Sequence, residues 1–291
     1  MTMLVIYGIC RGAVYALIAV GFSLVFNVLK FSNFSHGGVM VTCAYIGFVL
    51  ARKLSLGLIP TLLLSALCGG LLATAIEFIG FRRPRKKKSN ALIYFVSTVT
   101  ISTLLSNLMT LLFGGSYNSY PAFFKPPVLK IFGIKVSKIE LLCFAISIAA
   151  LIALICLLQK TKFGIAVRAI SMDASTTNLM GVNSDLLISI VFFISGIFGG
   201  LAGVFLGMTQ TLTTTMGSLV VKGFMASAIG GLGSLAGAII GAFAIAMIET
   251  ICGSIPKIGS GYAPVVTFGV VLIFLLLRPR GILGKSAIDK A

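Results

Sequence analysis

The residues best placed to do chemistry are hydroxyl and amide side chains within an apolar stretch, about 91–113. Thr98, Ser102 and Ser106 are four residues apart, so a helix would place them on one face, with Asn107 beside them. Such a face could line a path for a small polar solute. The same hydroxyls could equally bond carbonyls of their own helix and have no further role. The pattern leaves both interpretations open.

Ionisable side chains are few, and none forms a catalytic group. His36 is the only histidine, and it could shuttle protons, although a hydrogen bond at the turn between two helices is favoured. Glu77 and Glu249 lie near predicted helix ends, where a membrane-buried carboxylate is a candidate for function. Because Glu77 is close in sequence to Arg82 and Arg83, a structural ion pair is the favoured interpretation. We therefore predict no enzyme activity, no cofactor and no metal site.

A sequence near the C-terminus, residues 279–286, ends like a phosphate-binding loop. It has Pro279 where the first glycine is needed, and it follows an apolar helix rather than a strand. We therefore reject a nucleotide site, and any ATP chemistry must come from a partner. The six cysteines contain no C-x-x-C pair and fit small buried hydrophobic residues.

The composition is that of a membrane protein. The chain has 291 residues, of which 58% are hydrophobic and 10% are charged, whereas a soluble domain carries about 25% charged residues. We predict one transmembrane domain over residues 1–291. The net charge of +17 has no nucleic-acid-binding motif with it, and the basic residues cluster between apolar spans, which fits loops that face anionic membrane lipids.

Apolar segments of the length that a bilayer requires recur along the chain. The predicted fold is all-α: a polytopic helical membrane protein with about eight transmembrane helices plus one short broken or re-entrant segment. The eight segments are 4–29, 37–51, 56–80, 91–113, 139–158, 186–206, 233–251 and 262–277. The second is short, and we expect it to be tilted or partly re-entrant. The additional short piece is 217–230, which a tight turn at residues 230–233 should end.

Positive charge sets the predicted orientation. Residues 82–88 include six basic side chains, which places this run in the cytoplasm. Counting spans from it places the N-terminus and the loop 114–138 outside, and residues 159–185 inside. The tail, with Arg278, Arg280, Lys285 and Lys290, should also be inside.

Residues 161–183 form a polar stretch between two apolar segments. Ser171 could cap a helix whose first turn contains Asp173, and Gly181 suits the left-handed residue just past its end. These signals predict about nine helical residues, or roughly 13 Å of helix. This short helix could dock on an ATPase subunit, or it could lie on the membrane surface.

Glycines at helical spacing predict close helix packing, either within one subunit or at a subunit interface. The two stripes are Gly196, Gly200 and Gly203 in one segment, and Gly233, Gly237 and Gly241 in a later one.

Together, several short motifs resemble the inner-membrane permeases of branched-chain amino acid ABC transporters, over most of the chain. In family notation the patterns are G-x-x-Y-A-L-x-A-x-G, N-F-A-H-G, G-x-x-x-R-A, G-[IV]-N, K-A-F, G-G-L-G-S and R-P-x-G-L-x-G. They correspond to residues 12–21, 33–37, 164–169, 181–183, 222–224, 230–234 and 278–284. The chain departs from them at Ser35, which replaces alanine, and at residues 100–102, where the family often has T-x-G.

The resemblance implies a multi-pass subunit of the cell inner membrane that conducts a small polar solute, foremost branched-chain amino acids. Related permeases carry urea, amides, nucleosides or sugars. The implied partners are ATP-binding subunits, a second permease subunit in a homo- or heterodimer, and an extracytoplasmic binding protein. The implied ATPase-coupling residues are Gly164, Arg168, Ala169, Ser171, Asp173, Ala174 and Gly181. The alternative is an ion-coupled transporter or channel that works without an ATPase.

Overall fold

The computed structural model describes residues 2–87, 90–123, 128–131, 134–255 and 259–284. Several residues used above lie outside these ranges, namely Lys88, Lys285, Ser286 and Lys290.

Helices make up most of the described chain, in agreement with the predicted all-α class. They are α1 (Thr2–Leu29), α2 (Ser35–Arg52), α3 (Leu58–Ile76), α4 (Arg82–Lys86), α5 (Ala91–Phe113), α6 (Lys138–Lys160), α7 (Lys162–Met172), α8 (Ala174–Leu179), α9 (Ser184–Thr209), α10 (Val220–Gly230), α11 (Leu235–Ser254) and α12 (Gly259–Leu277). A π-helix, Glu77–Phe81, joins α3 to α4, and a 3₁₀-helix, Thr214–Leu219, precedes α10. Strands β1 (Val128–Ile131) and β2 (Ile134–Ser137) form a short antiparallel hairpin in the loop between α5 and α6.

The predicted spans are present. Six stretches are long and apolar enough to cross a bilayer: α1, the continuous helix Leu58–Lys86, α5, α6, α9 and α11. The 18-residue α2 and the 19-residue α12 complete the predicted eight. The basic run was expected to be a loop, but its residues 82–86 are helical, because α3 continues through the π-helix into α4 without a break.

Side-chain contacts define two ends of the bundle. At the basic end, which carries α4, Phe31 stacks on Tyr94 with ring centroids 4.7 Å apart and also contacts Phe81. At the opposite end, Asn118 pairs through its backbone with Leu212. Successive long helices run between the two ends, so the chain crosses the bundle repeatedly, as a multi-pass membrane protein does.

Helix α1 is the centre of the bundle. Its residues from 12 to 25 are all buried, because α6, α9, α10 and α11 pack around it. Leu17, Ile18 and Phe22 have no exposed surface. A helix that is apolar on every face needs apolar neighbours on every face, and α1 therefore serves as the core on which the peripheral helices pack.

Helix α2, the short second segment of the prediction, is continuous from Ser35 to Arg52 and mostly buried. The turn before it is held by Asn33, whose side-chain oxygen accepts hydrogen bonds from the backbone N–H of Ser35 at 3.2 Å and its hydroxyl at 2.6 Å. His36, which was expected to bond this turn, instead lies buried between α1 and α9. Its Nδ1 is 3.4 Å from the hydroxyl of Ser195.

Close backbone contacts explain five of the six predicted packing glycines. A side chain on Gly196, Gly200 or Gly203 would overlap backbone atoms of Gly69, Ser65 or Met40 within this chain. Gly237 and Gly241 likewise face the carbonyl oxygens of Gly230 and Ala226 on α10.

The prediction that Gly233 packs on the later helix is wrong, because Gly233 lies in the turn before α11. Its φ of +88° is a conformation that glycine adopts without steric strain.

The predicted turn separates the short helix α10 from α11, and the tail after α12 forms hydrogen bonds with the end of α10. Gly231 has a φ of +102°. The N–H groups of Ile282 and Leu283 donate to the carbonyls of Ile229 and Gly230, at 2.7 and 2.9 Å. These carbonyls end α10 and lack partners within their own helix, so the tail supplies the missing hydrogen bonds.

Glycine substitutions should separate packed from open positions. Gly203→Ala should lower the thermal stability of the purified protein, because the new methyl group would overlap the carbonyl oxygen of Met40. Such overpacking costs about 1–3 kcal/mol. Gly269→Ala in α12 is the control, since no atom of the described chain lies within 4 Å of the place that its methyl group would take. Equal melting temperatures for the two variants would contradict this account of the packing.

Candidate functional sites

The hydroxyl face of α5 borders a cavity of about 560 Å³ between α5 and the 3₁₀-helix. Of the predicted pathway residues, Ser102, Ser106 and Asn107 line it. The described lining residues carry no charge, and on the facing side they include the hydroxyls of Thr214, Thr215 and Ser218. Uncharged hydroxyl and amide groups can exchange hydrogen bonds with a polar solute without the strong attraction of a fixed charge.

Thr98 is separate from this cavity. It has no exposed surface, and its hydroxyl donates to the carbonyl of Phe95 at 2.8 Å. The neighbouring Thr103 and Thr110, which do line the cavity, donate to carbonyls four residues earlier in α5. Lining the cavity and bonding the same helix are therefore compatible, since Thr103 and Thr110 do both.

The threonines of the facing wall were missed in the sequence. A signal was present, since three consecutive threonines, residues 213–215, directly precede the short apolar piece.

The second candidate site is the elbow between α6 and α7 at the basic end. Thr161 caps α7 by accepting a hydrogen bond from the N–H of Gly164. Arg168 donates from its guanidinium to the carbonyl of Leu158 at 2.7 Å. Gly164 packs against that same carbonyl, where any side chain would overlap it. Gly164 and Arg168 therefore fix the direction in which α7 leaves the membrane helix.

The helix start predicted at Ser171 is wrong. Ser171 lies in the last turn of α7 and donates to the carbonyl of Arg168 at 2.7 Å. Asp173 is the N-cap, not a first-turn residue, and the helix that follows, α8, has six residues where about nine were predicted. The backbone is extended at Asp173, with φ −157°, so α7 ends there and α8 begins.

Asp173 is well suited to this cap. Hydrogen bonds from the hydroxyl of Thr176 and from the hydroxyl and N–H of Ser175 lower the pKa of its carboxyl below the ordinary value. The carboxylate therefore stays charged at the N-terminus of α8. Gly181 follows the end of α8 with a φ of +86°.

The elbow also presents apolar side chains to solvent. Met172, Leu179 and Met180 each expose more than four-fifths of their surface. Ala169 and Ala174 are partly buried. We define the three exposed residues Met172, Leu179 and Met180, which lie just before α8 and at its end, as the elbow patch.

An ion-pair cluster fixes α4 next to the start of α9. The fully buried Glu77 lies 2.8 Å from Arg85, which also contacts Asp185 at 2.7 Å. Arg82 and Arg83 were expected to pair with Glu77, but Arg85 does so instead. The helix is continuous, and Arg85 therefore lies on the same face as Glu77, the face that meets α9. Arg82 instead lies 3.5 Å from Asp185.

A second charged cluster lies inside the bundle. Lys222 of α10 contacts Glu249 of α11 at 2.6 Å, and both side chains are more than four-fifths buried. Tyr15 of α1 connects them, since its hydroxyl accepts from Lys222 at 3.0 Å and donates to Glu249 at 3.1 Å. Glu249 was a candidate from the sequence, whereas its partner Lys222 was not recognised. A lone lysine in the apolar piece 217–230 was the available signal.

Comparison with known proteins gives a consistent result. Residues 4–277 match the family model described as branched-chain amino acid transport system / permease component. The chain is 30% identical to the high-affinity branched-chain amino acid transport system permease protein BraD of Pseudomonas aeruginosa, over 97% of this chain and 95% of BraD. It is 29% identical to the corresponding permease LivH of Escherichia coli, with the same coverage.

Among solved structures, a protein described as a metal-chelate type ABC transporter in an inward-facing conformation aligns with a TM-score of 0.53. The identity is 18%, over 94% of this chain and 85% of the other. At that identity the likeness concerns the fold alone.

Replacing only one member of the buried Lys222–Glu249 pair should lower the stability of the protein more than replacing both. Lys222→Met would leave the Glu249 carboxylate without its countercharge, and losing one partner of a buried pair costs about 3–5 kcal/mol. The double variant Lys222→Met/Glu249→Leu should recover much of this loss. Thermal unfolding of the purified protein in detergent measures both. Lys160→Met, at an exposed lysine, is the control, and a single variant as stable as this control would refute the role of the pair.

Proposed function

This chain belongs to the branched-chain amino acid transport system permease family, and on that premise we propose that it is the membrane-spanning subunit of an ABC importer. It would form the translocation pathway for branched-chain amino acids, powered by separate ATP-binding subunits and supplied by an extracytoplasmic binding protein. The observation that carries the proposal is the family match over residues 4–277, with BraD and LivH as relatives along nearly their whole length.

The elbow patch supports the ATPase partner. Exposed apolar side chains are disfavoured at a surface that only meets water, and burial of each is worth about 1.5–3 kcal/mol. The elbow also has the stiffness that a force-transmitting contact needs, because Gly164 and Arg168 both hold it to the end of α6. In this proposal Arg168 is a positioning residue, and Met172, Leu179 and Met180 contact the ATP-binding subunit.

The hydroxyl-lined cavity supports the pathway. Helix α5 packs on α2 and the 3₁₀-helix, so one face of it is unpartnered within the described part of this chain. A second permease subunit facing α5 would enclose the cavity and complete the path. Neutral hydrogen-bonding groups would suit a solute that must pass through and not be retained.

The paired carboxylates Glu77 and Glu249 are poor candidates for the coupling site of an ion-coupled carrier. A coupling carboxylate must release and rebind a cation during each cycle. Glu77 and Glu249 are each held by a basic side chain, Arg85 and Lys222 respectively. Held in this way, they act as structural charges and do not serve as exchangeable ion sites.

Orientation completes the proposal. The basic end, with α4 and the elbow, would face the cytoplasm, as the positive charges predict. The opposite end, with the loop between α5 and α6, would face the binding protein.

Substitution of the elbow patch should weaken the binding of the ATP-binding subunit. Leu179→Ser/Met180→Ser removes two apolar contacts, so co-purification of the ATP-binding subunit should fall at least tenfold, and uptake should be lost while the permease remains in the membrane. Leu54→Ser, at an exposed leucine of the opposite end, should assemble normally. Unchanged assembly of the double variant would argue against this docking surface.

Cysteine labelling should show whether the α5 cavity contains water. Ser106→Cys should react with a membrane-impermeant maleimide, and leucine supplied with the binding protein and ATP should slow the reaction. The native Cys156, on an exposed face of α6 that we expect to contact lipid, is the internal control and should react far more slowly, because a thiol in lipid does not ionise. If the thiol introduced by Ser106→Cys reacted no faster than that of Cys156, the cavity would not be the pathway.

A further inference from the structure

A second cavity lies within this single subunit, at the end opposite to the basic one. It has a volume of about 340 Å³ and is enclosed by α1, α6, α9, α11 and α12. It shares no lining residue with the cavity along α5. It is therefore a separate site, and it does not depend on where the translocation pathway runs.

Charged groups of both signs line this cavity. Arg11 projects from α1 and Glu140 from the first turn of α6. Glu249 also lines it, but its charge is balanced by Lys222. Among the described residues, neither Arg11 nor Glu140 takes part in an ion pair.

Glu140 lacks a hydrogen-bond partner as well. Its Oε2 is shielded from solvent and accepts no hydrogen bond from any described residue. A buried carboxylate oxygen without a donor is costly, so it needs a hydrogen bond from a bound water or ligand. The cavity wall therefore offers an acceptor at Glu140 and a cationic donor at Arg11, which form no direct ion pair with each other.

The remaining lining suits a small molecule with a short apolar part. Gln210 offers both a donor and an acceptor in its side chain, whereas Val14, Leu206 and Ala263 are apolar. A wall with a few placed polar groups among apolar ones is typical of small-molecule sites.

We propose that this cavity binds a small zwitterion, with its anionic group at Arg11 and its primary ammonium group at Glu140. A free amino acid has this chemistry, and so does the ethanolamine headgroup of a phospholipid. The inference does not rest on the proposed transport function, because the two charges recognise the same ligand whether or not this subunit transports it.

The first test uses the unmodified, full-length chain in nanodiscs of phosphatidylglycerol, with radiolabelled leucine as the probe. Leucinamide lacks the carboxylate and 4-methylpentanoate lacks the ammonium. Loss of one charge-assisted contact weakens binding by about tenfold or more, so both analogues should compete at least tenfold less well than leucine. Equal competition by either analogue would overturn the amino-acid form of the proposal.

The second test uses variants. Arg11→Gln and Glu140→Gln should each weaken leucine binding at least tenfold, and Glu140→Asp should restore part of it. Arg52→Gln is the matched control, because Arg52 is an exposed arginine at the end of α2 that lines neither cavity. Size-exclusion profiles check that each variant is folded, and wild-type affinity in both cavity variants would refute the site.

A lipid arm separates the two sources of the zwitterion. The chain is purified from membranes with equal phosphatidylethanolamine and phosphatidylglycerol, and the retained lipid is measured by mass spectrometry. Preferential retention of phosphatidylethanolamine that both cavity variants abolish, without leucine binding, assigns the site to a headgroup. If neither leucine nor phosphatidylethanolamine binds in an Arg11- and Glu140-dependent manner, the proposal is wrong.

Discussion

The constraint on which this structure depends is that every backbone N–H and C=O group buried away from water needs a partner supplied by the protein. Unbroken helices meet it automatically, but the junction of α10 and α11 does not. There, the carbonyls of Ile229 and Gly230 point away from any helical partner, and the amides of Ile282 and Leu283 bond them. A segment more than 50 residues away in sequence thus makes the broken helix possible.

The same constraint governs the charges. A charge in a region of low dielectric needs a countercharge close by. Glu77 with Arg85, and Lys222 with Glu249, satisfy this need by joining helices that are distant in sequence. Both pairs also connect two helical segments whose relative position packing alone would not fix. The Arg85 cluster connects α4 to α9, and the Lys222–Glu249 pair connects α10 to α11. The glycine contacts bring the backbones of the same helices close together, as at Gly241 and Ala226 of α11 and α10.

Hydropathy made much of this fold predictable, because a bilayer demands long apolar runs and a cytoplasmic loop collects basic residues. The broken segment 217–230 and its glycine turn followed from length and local backbone preference.

Side-chain partners did not follow from the sequence. Ser171 and Asp173 are both good N-cap residues, and only the extended backbone at Asp173 decides between them. Arg85 as the partner of Glu77 depends on a π-helix that no local pattern signals. The facing wall of the α5 cavity comes from residues 214–218, more than 100 positions away from α5, and pattern reasoning within one helix cannot find it.

The bonds between residues 282–283 and α10 also bear on how the protein is made. Residues 220–230 leave the ribosome about 50 residues before Ile282 and Leu283, whose N–H groups bond the end of α10. Until then, the carbonyls at the end of α10 can bond only water, lipid headgroups or the insertion machinery. The end of α10 can take its final place only when translation is almost complete. The last hydrogen bonds of this subunit therefore form at the junction of α10 and α11 and not within its last long helix.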